Sequence, residues 1–280
     1  MSLVGFGLPV RRRPCRPTTR AIVGVYRHRN AELVEGLIKP ALSYGWRTAW
    51  WALDRRHPSL DAFTVGEGPG EKPRLVNETL RRSGFLADWT VVADDDIRFR
   101  RGDVIRLVDV CQHGRFDLAQ PALAPRTHAS HPITIAQRHV RARTTTFVES
   151  GPMLVIGPRF RDAILPLAEH LGMGWGIEFD WIDLLDQGCR LGIVDSEVID
   201  HLGKVAADYD SGEMRRRIGE ELAARGATDW KAVQHTLEVW RPWQRKPPWH
   251  LDAMHDTRSS GAHEVQDGHG RRVVGPPTER

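Results

Sequence analysis

The feature that most constrains the fold is an apolar strand that ends in three consecutive acids. Residues 89–93, with the sequence WTVVA, are followed directly by Asp94, Asp95 and Asp96. Adjacent carboxylates repel one another and fit poorly inside a strand, so they belong at its end. Oxygen ligands of this kind select hard divalent cations such as Mg²⁺ or Mn²⁺. We therefore expect a divalent cation at this strand end; a solvated acidic turn is the alternative.

A strand–helix–strand unit opens the ordered part of the chain. The first strand ends at Tyr26 and Arg27, a segment of helical periodicity covers residues 31–44 with Pro40 inside it, and the second strand ends at Asp54. Such units build right-handed crossovers in a parallel sheet, and ligands bind beyond the carboxyl ends of the strands. Asp54 is therefore placed for a polar contact to a ligand, and a helix cap or turn acid is its alternative role.

A Gly/Pro loop over residues 64–73 leads into a predicted helix over residues 73–83. The loop lacks the Walker pattern G-x-x-x-x-G-K-[ST] and is not a P-loop. Lys72 and Asn77 lie at or near the start of the helix. Basic side chains, backbone N–H groups and the helix dipole together predict an anion-binding position there.

A second group of candidate residues occurs in the sequence GWGIEFD, residues 174–180. Glu178 and Asp180 lie at the start of a predicted helix, where the dipole alone favours carboxylates. Their functional role would be that of a general base that takes a proton from an acceptor. Trp175 would supply an apolar wall that desolvates this acid and offers an aromatic face to a ligand.

A third candidate is His201, at the end of the apolar segment GIVDSEVIDHLG, residues 192–203. A neutral imidazole there would complete a metal site begun by Asp96. A hydrogen-bonded structural histidine is the alternative.

Composition excludes several classes of protein. The chain has 280 residues, 40% of them hydrophobic, which suffices for one large α/β domain or two small ones, and its net charge of +4 lies largely in local arginine clusters. The sequence predicts neither a nucleic-acid-binding module nor a membrane span, and the arginines that follow the short apolar patch at its start argue against a signal peptide. The three cysteines, which are far apart, show neither metal-ligand spacing nor a disulfide framework, so a cytoplasmic location is expected.

The order of these elements resembles the nucleotide-binding half of a GT-A glycosyltransferase of the family-2 type. The strand that ends at Asp54 is followed by a G-x-G-x-K-x-x-x-x-N-like loop, residues 68–77, and then by a strand that ends in D-x-D. The resemblance implies a nucleotide-sugar donor, with UDP-sugars as the default, and Mn²⁺ or Mg²⁺ as the cofactor. It places Asp96 on the metal and Asp94 near the metal or the ribose. With the residues described above, the candidate metal ligands are Asp94, Asp96 and His201. The candidate nucleotide-sugar contacts are Tyr26, Arg27, Asp54, Lys72, Asn77, Asp94, Asp95 and Trp175.

The motifs WGIEFD and GIVDSEVIDHLG, with LAQPAL upstream, are also similar to an uncharacterised plant and bacterial family. That family carries the label "lysine-ketoglutarate reductase trans-splicing related", which is misleading for this chain because no G-x-G-x-x-G follows a strand here. Two positions depart from the family pattern. Asp95 occupies a position where the family has glutamate, and Glu178 a position where it has aspartate. Since Glu178 has the longer arm, Asp180 remains a rival for the role of base.

The sequence thus predicts a flexible basic arm (residues 1–19), a GT-A-like, Rossmann-like catalytic domain (20–204), C-terminal helices with a Trp/Pro strap (205–254) and a disordered tail (255–280). The domain is expected to be a mostly parallel sheet flanked by helices, with a helical C-terminal extension that includes a helix over residues 228–240. The expected activity is metal-dependent, inverting sugar transfer to a hydroxyl or amine acceptor. Its rivals are a nucleotidyltransferase, a sugar-nucleotide hydrolase and a non-catalytic nucleotide-binding module. The sequence does not indicate the oligomeric state.

Overall fold

The computed structural model describes residues 18–172, 174–203 and 212–250. The tail predicted for residues 255–280 lies outside these ranges, as does the arm predicted for residues 1–19 except for Thr18 and Thr19. Within them, the chain forms ten strands: β1 Arg20–Tyr26, β2 Arg47–Ala52, β3 Thr64–Glu67, β4 Trp89–Ala93, β5 Ile97–Arg101, β6 Leu118–Leu123, β7 Ala142–Thr145, β8 Met153–Ile156, β9 Leu191–His201 and β10 Thr236–Trp240. It also forms six α-helices: α1 Ala31–Ser43, α2 Lys72–Ser83, α3 Val104–Gly114, α4 Arg161–Ile164, α5 Ile177–Asp183 and α6 Gly212–Ala224.

The ten strands form one sheet in the order β10-β7-β9-β6-β8-β4-β1-β2-β3, and β5 pairs with the end of β9. The prediction of a mostly parallel sheet is wrong, because the sheet is mixed. Strands β3, β2, β1 and β4 are parallel, but β8 pairs antiparallel with both β4 and β6, and β9 pairs antiparallel with β5 and β7. The sequence over residues 144–156 suggests one strand, whereas two short strands, β7 and β8, form at different places in the sheet. Pro152, just before β8, offers no N–H to a sheet ladder.

Apolar side chains cover both faces of the sheet because strand residues alternate between the faces. Helices α1 and α3 pack on one face, against residues such as Ile22 and Val91. Helices α2, α4 and α5 pack on the other, against residues such as Val23 and Val92. Strand β4 is buried along its whole length in the middle of the sheet. The acidic triplet therefore emerges at the centre of the carboxyl edge of the parallel strands.

The C-terminal region does not follow the predicted helix over residues 228–240. A short 3-10 turn, Trp230–Val233, leads into β10, which pairs antiparallel with β7. Thr236, Val239 and Trp240 are β-branched or aromatic and favour a strand when an edge strand offers pairing. The Trp/Pro segment that follows returns to α3, where the Trp249 indole N–H donates to the Gly114 carbonyl over 2.7 Å. No helix among the described residues combines the length and apolarity needed to cross a membrane.

Candidate functional site

At the carboxyl end of β4, two acids lie close to a histidine that is distant from them in sequence. The antiparallel register of β5 and β9 pairs Ile97 with His201, and the Leu202 N–H donates to the Asp96 carbonyl over 2.9 Å. His201 Nε2 consequently lies 3.5 Å from Asp96 Oδ1. One ligand atom from each of Asp94, Asp96 and His201 lies within 4.8 Å of the others. The three residues predicted to form a metal site are thus adjacent in space.

The ring of His201 is oriented so that it can act as a ligand. Its Nδ1 lies 3.2 Å from the His128 carbonyl, and a carbonyl can only accept, so Nδ1 carries the proton. In the neutral ring Nε2 then presents its lone pair to Asp96 and Asp94. Thr127 fixes the neighbouring backbone, since its hydroxyl donates to the His201 carbonyl (2.8 Å) and accepts from the His201 N–H (2.7 Å).

Two carboxylates and an unprotonated imidazole nitrogen are a donor set that fits a divalent cation. Burial raises the pKa of Asp96, the charge of Asp94 raises it further, and His201 opposes the shift. A cation at this position would remove that penalty. Gly203 completes the geometry, because a Cβ at this residue would lie only 2.0 Å from Asp96 Oδ2.

Lys72 supplies a positive charge on the other side of Asp94. Its Nζ lies 2.6 Å from Asp94 Oδ1 and donates to the Ser150 carbonyl over 3.3 Å. The ammonium group, at the first residue of α2, is mostly buried, with 15% of its side chain exposed. The backbone at Gly151 comes close to both groups, since an added Cβ would lie 3.3 Å from Asp94 and 3.6 Å from Lys72. Lys72, Asp94 and the turn after residue 149 therefore form one wall of the candidate site.

Asp95 points away from the metal ligands. Its carboxylate accepts the backbone N–H of Arg27 over 2.5 Å and so holds the end of β1 against the end of β4. The side chain is 4% exposed. Burial raises its pKa to about 6, with Asp96 and Asp94 adding to the shift and the Arg27 hydrogen bond opposing it. This carboxylate organises the loop on which Arg27 lies.

The two candidate bases occupy different surroundings. Glu178 is 5% exposed, and its two carboxylate oxygens accept the backbone N–H groups of Ser150 and Gly176, each over 2.9 Å. Burial raises its pKa against these hydrogen bonds. Asp180 is exposed. The charges that act on its carboxyl belong to His170, to one acid each of α5 and α6, and to Arg225 just after α6, and none of them is in the acidic triplet. Of the two, only Glu178 contacts the wall formed with Lys72.

The loop before α5 carries Trp175, which is half-buried. At Gly174 the loop backbone lies against α2, since an added Cβ would be 3.3 Å from Pro73 Cγ. Positive φ angles of 93° at Gly174 and 97° at Gly176 allow the sharp turn on either side of the tryptophan. Trp175 is thereby held beside the start of α2.

Glu149 is a site residue that the sequence analysis missed. Its pKa is raised to about 8, first by burial and then by the charge of Glu178, with Asp94 adding and Lys72 opposing. Its backbone N–H donates to Gln120 Oε1 over 2.6 Å, and neither Glu149 Oε2 nor Gln120 Nε2 has a partner among the described residues. The sequence places Glu149 at the end of an apparent strand, where an acid attracts no notice; the Ser-Gly-Pro turn after it is the only local hint.

Two predicted donor contacts have side chains that are engaged elsewhere in the fold. Tyr26 is fully buried, and its hydroxyl bonds to Thr64 Oγ1 over 2.9 Å, so its side chain is part of the core. The Asn77 side-chain amide donates to the Leu167 carbonyl and to the Glu169 carboxylate, and its oxygen accepts from the Leu167 backbone N–H. Its role here is to hold the loop after α4.

Asp54 remains exposed at the end of β2, where it accepts the His28 and Arg55 N–H groups over 2.9 and 2.7 Å. Burial would raise the pKa of its carboxyl, but these hydrogen bonds outweigh burial and lower it. The carboxylate therefore stays ionised beside the end of β1.

Comparison with known proteins identifies the fold. The sequence matches no protein-family model and no curated protein. The structure is similar to a crystal structure of GalNAc-T7 with UDP, GalNAc and Mn²⁺, with a TM-score of 0.54 and 9% identity over 73% of this chain. It also matches S. aureus TarS in complex with UDP-GlcNAc, with a TM-score of 0.47 and 12% identity over 77% of this chain and 68% of TarS.

The GalNAc-T7 match gives this chain a GT-A-type fold. The chain spans 48% of the length of the GalNAc-T7 structure.

Proposed function

We propose that this protein is a metal-dependent glycosyltransferase that moves a sugar from a nucleotide-sugar, with UDP-sugars the first choice, to an acceptor hydroxyl or amine. The observation that carries the proposal is the cluster of Asp94, Asp96 and His201 at the carboxyl end of the central strand of a GT-A-type fold. GalNAc-T7, which shares the fold, was crystallised with UDP and Mn²⁺. A nucleotide diphosphate and its cation are the ligands that such a donor set suits.

The donor would lie on the β1–β2 side of the cluster. Arg27 and Asp54 follow those two strands, and Lys72 lies at the start of α2. Lys72 would hold the diphosphate through its ammonium group, and Asp54 would accept hydrogen bonds from the nucleoside. Trp175 would exclude water and stack on the sugar.

Asp94, Asp96 and His201 Nε2 would hold the cation, which when bound would offset the charge of the departing diphosphate. We favour Mn²⁺ over Mg²⁺ because imidazole nitrogen is a poor ligand for Mg²⁺. Among the chain's own residues, Lys72 would share in balancing that charge, since it already contacts Asp94.

Glu178 would take the proton from the acceptor as the acceptor attacks the anomeric carbon. Burial raises the pKa of Glu178, which makes it a stronger base than an exposed carboxylate. A base that acts on an attacking acceptor, opposite the leaving diphosphate, implies inversion at the anomeric carbon. The anomeric configuration of the product, read by proton NMR, tests this.

The first test is thermal-shift and calorimetric titration of the full chain with UDP and UDP-sugars, with and without Mn²⁺. We expect stabilisation that requires Mn²⁺, because a ligand that binds only the folded state raises its stability. Asp96→Asn should lose it, whereas Asp162→Asn, which alters an acid with 88% of its side chain exposed on α4, should retain it. Mn²⁺-dependent UDP binding that survives in Asp96→Asn would rule out the assigned metal site.

The products separate the proposal from its rivals. Release of nucleoside diphosphate with a glycosylated acceptor supports glycosyl transfer. Pyrophosphate release would identify a nucleotidyltransferase, free sugar without an acceptor a hydrolase, and donor binding without turnover a binding module. For the base, Glu178→Gln should abolish turnover and keep donor binding, while Asp180→Asn should keep both; the reverse result would reassign the base.

A further inference from the structure

A basic cavity of about 390 Å³ adjoins the candidate metal site on the side away from β1 and β2. Its lining includes Arg98 and Arg100 of β5, Arg126 and His128 of the loop after β6, and Asp200 and His201 at the end of β9. This volume lies within the range of small-molecule sites, about 300–1,000 Å³. Ionisable side chains make up most of the lining, so its ligand must be polar.

The charges on this wall do not cancel. Arg98 Nη2 and Arg100 Nε lie 3.4 and 3.3 Å from the two oxygens of Asp200, a single carboxylate that is 7% exposed. Arg126 makes no ion pair or hydrogen bond with any residue in the described ranges. Among these four side chains, three guanidinium groups face one carboxylate, a surplus of two positive charges. Guanidinium groups bind phosphate through paired, charge-assisted hydrogen bonds.

The geometry of the cavity is fixed by its backbone. β5 and β9 pair Arg98 with Asp200, and Arg100, two residues further along β5, contacts the same acid. Thr127 ties the opposite loop to His201 through two hydrogen bonds. Arg126, beside it, has a φ of 71°, a left-handed conformation that is unusual for arginine and occurs where surrounding structure enforces it.

His201 separates this cavity from the metal cluster. One edge of the ring, Nε2, faces Asp96, and the other, Nδ1, bonds to the His128 carbonyl in the cavity wall. The candidate donor residues Arg27, Asp54 and Lys72 lie on the β1–β2 side of β4. The loop after β6 and the end of β9, which line the cavity, lie on the other side of β4. A molecule in the cavity would therefore approach the metal cluster from the side opposite the donor.

We propose that this cavity binds a phosphate group on the acceptor, so that the acceptor substrate is a phosphorylated molecule. A phosphate monoester carries nearly two negative charges at neutral pH, which matches the cavity's surplus, and the arginines offer paired donors to its oxygens. That the phosphate belongs to an acceptor rests on the function proposed above. That the cavity binds a phosphate group does not depend on that function.

The test measures binding of ribose 5-phosphate to the full chain by calorimetry without nucleotide or metal, with ribose and glucuronate as the uncharged and carboxylate probes. We expect saturable binding of ribose 5-phosphate, weaker binding of glucuronate and none of ribose. Arg126→Asn should weaken phosphate binding about tenfold. This variant keeps a residue that tolerates the left-handed conformation and breaks no ion pair.

Arg115→Asn is the matched control, because Arg115 is another exposed arginine with a positive φ, 51°, at the opposite end of β6. It should leave binding unchanged. Arg100→Gln provides a second cavity variant. No ribose 5-phosphate binding, or equal affinity in wild type, Arg126→Asn and Arg100→Gln, would overturn the proposal.

Competition with UDP and Mn²⁺ distinguishes failure of the phosphate-site proposal from failure of the proposed glycosyltransferase function. Under the proposal, UDP with Mn²⁺ leaves ribose 5-phosphate bound, and Asp96→Asn removes UDP binding without affecting ribose 5-phosphate. Displacement by UDP would instead assign the cavity to the donor phosphates and refute an acceptor role. Phosphate binding without any UDP binding would preserve the anion site and refute the glycosyltransferase proposal alone.

Discussion

Replacing Gly203 with alanine should disable the candidate metal site while the fold survives. An alanine Cβ would lie 2.0 Å from Asp96 Oδ2 and 3.2 Å from Asp96 Cγ. Non-bonded heavy atoms settle about 3.5 Å apart, so the carboxylate must move by roughly 1 Å or more. Metal–ligand distances tolerate only about 0.2 Å, and the displaced oxygen would no longer reach a cation held by Asp94 and His201.

The size of the effect follows from what is lost. Loss of an outer-shell partner alone typically lowers metal affinity about 10- to 100-fold, and Gly203→Ala displaces a ligand itself, so we expect at least this loss, about 1.4 to 2.7 kcal/mol. The fold should lose less, because rotating Asp96 from its preferred rotamer costs about 0.5–1.5 kcal/mol. Mn²⁺ titration followed by electron paramagnetic resonance measures the first quantity, and thermal unfolding without metal measures the second.

Gly36→Ala is the matched control. The same methyl group at Gly36, inside α1, meets nothing within 4 Å and should raise helix stability by about 0.5–1 kcal/mol without altering Mn²⁺ binding. If Gly203→Ala bound Mn²⁺ with wild-type affinity, Asp96 would not be a ligand in the observed orientation. If it failed to fold, the view that only a side chain has to move would be wrong.

Two further predictions concern buried groups around the site and the C-terminal strap. Glu149 keeps its proton in the folded state up to about pH 8, whereas the unfolded chain releases it near pH 4.5, so its contribution to stability falls as pH rises through that window. Glu149→Gln should reduce the loss of unfolding free energy between pH 5 and pH 9, by at most about 5 kcal/mol, when that free energy is measured by denaturant titration. If the pH dependence were the same as in the wild type, the raised pKa of Glu149 would be refuted. Trp249 is 2% exposed, and Trp249→Ala should lower the free energy of unfolding by about 3–5 kcal/mol. Trp243 is 71% exposed, and Trp243→Ala should change that free energy by less than about 0.5 kcal/mol. Equal effects of the two tryptophan variants in urea unfolding would show that the strap does not stabilise the domain.

The elements around the site could largely be predicted from the sequence, but strand direction could not. The apolar run before Asp94 and the helical periodicity of residues 31–44 are local patterns. Pro40 is a residue expected to kink a helix or end it early, but α1 continues through it to Ser43. The direction of β8 depends on its two neighbours in space, about which local sequence says nothing. The strand at Thr236–Trp240 likewise forms because β7 presents an edge to it.

The same contrast applies to the site. Acids at a strand end and a histidine at another are visible as residue types, and the structure brings Asp94, Asp96 and His201 together. The features that orient them are contacts with the backbone, which the sequence does not show: the His128 carbonyl that accepts from the His201 ring, and the close approach of the Asp96 carboxylate to the backbone at Gly203. Glu149 was missed for a related reason, since burial and the nearby Glu178 set its character and neither is a property of its own segment.

A single register connects the candidate metal site with the basic cavity. The pairing of Ile97 with His201 brings the imidazole to Asp96, and the next pair, Arg98 with Asp200, sets the cavity's charged wall. A slip of one residue would turn every side chain of β5 to the opposite face, so both sites would be lost together. Under the two proposals above, a cation site and an anion site would share one register and one histidine ring. They would then hold two substrates against each other, which is what transfer between them requires.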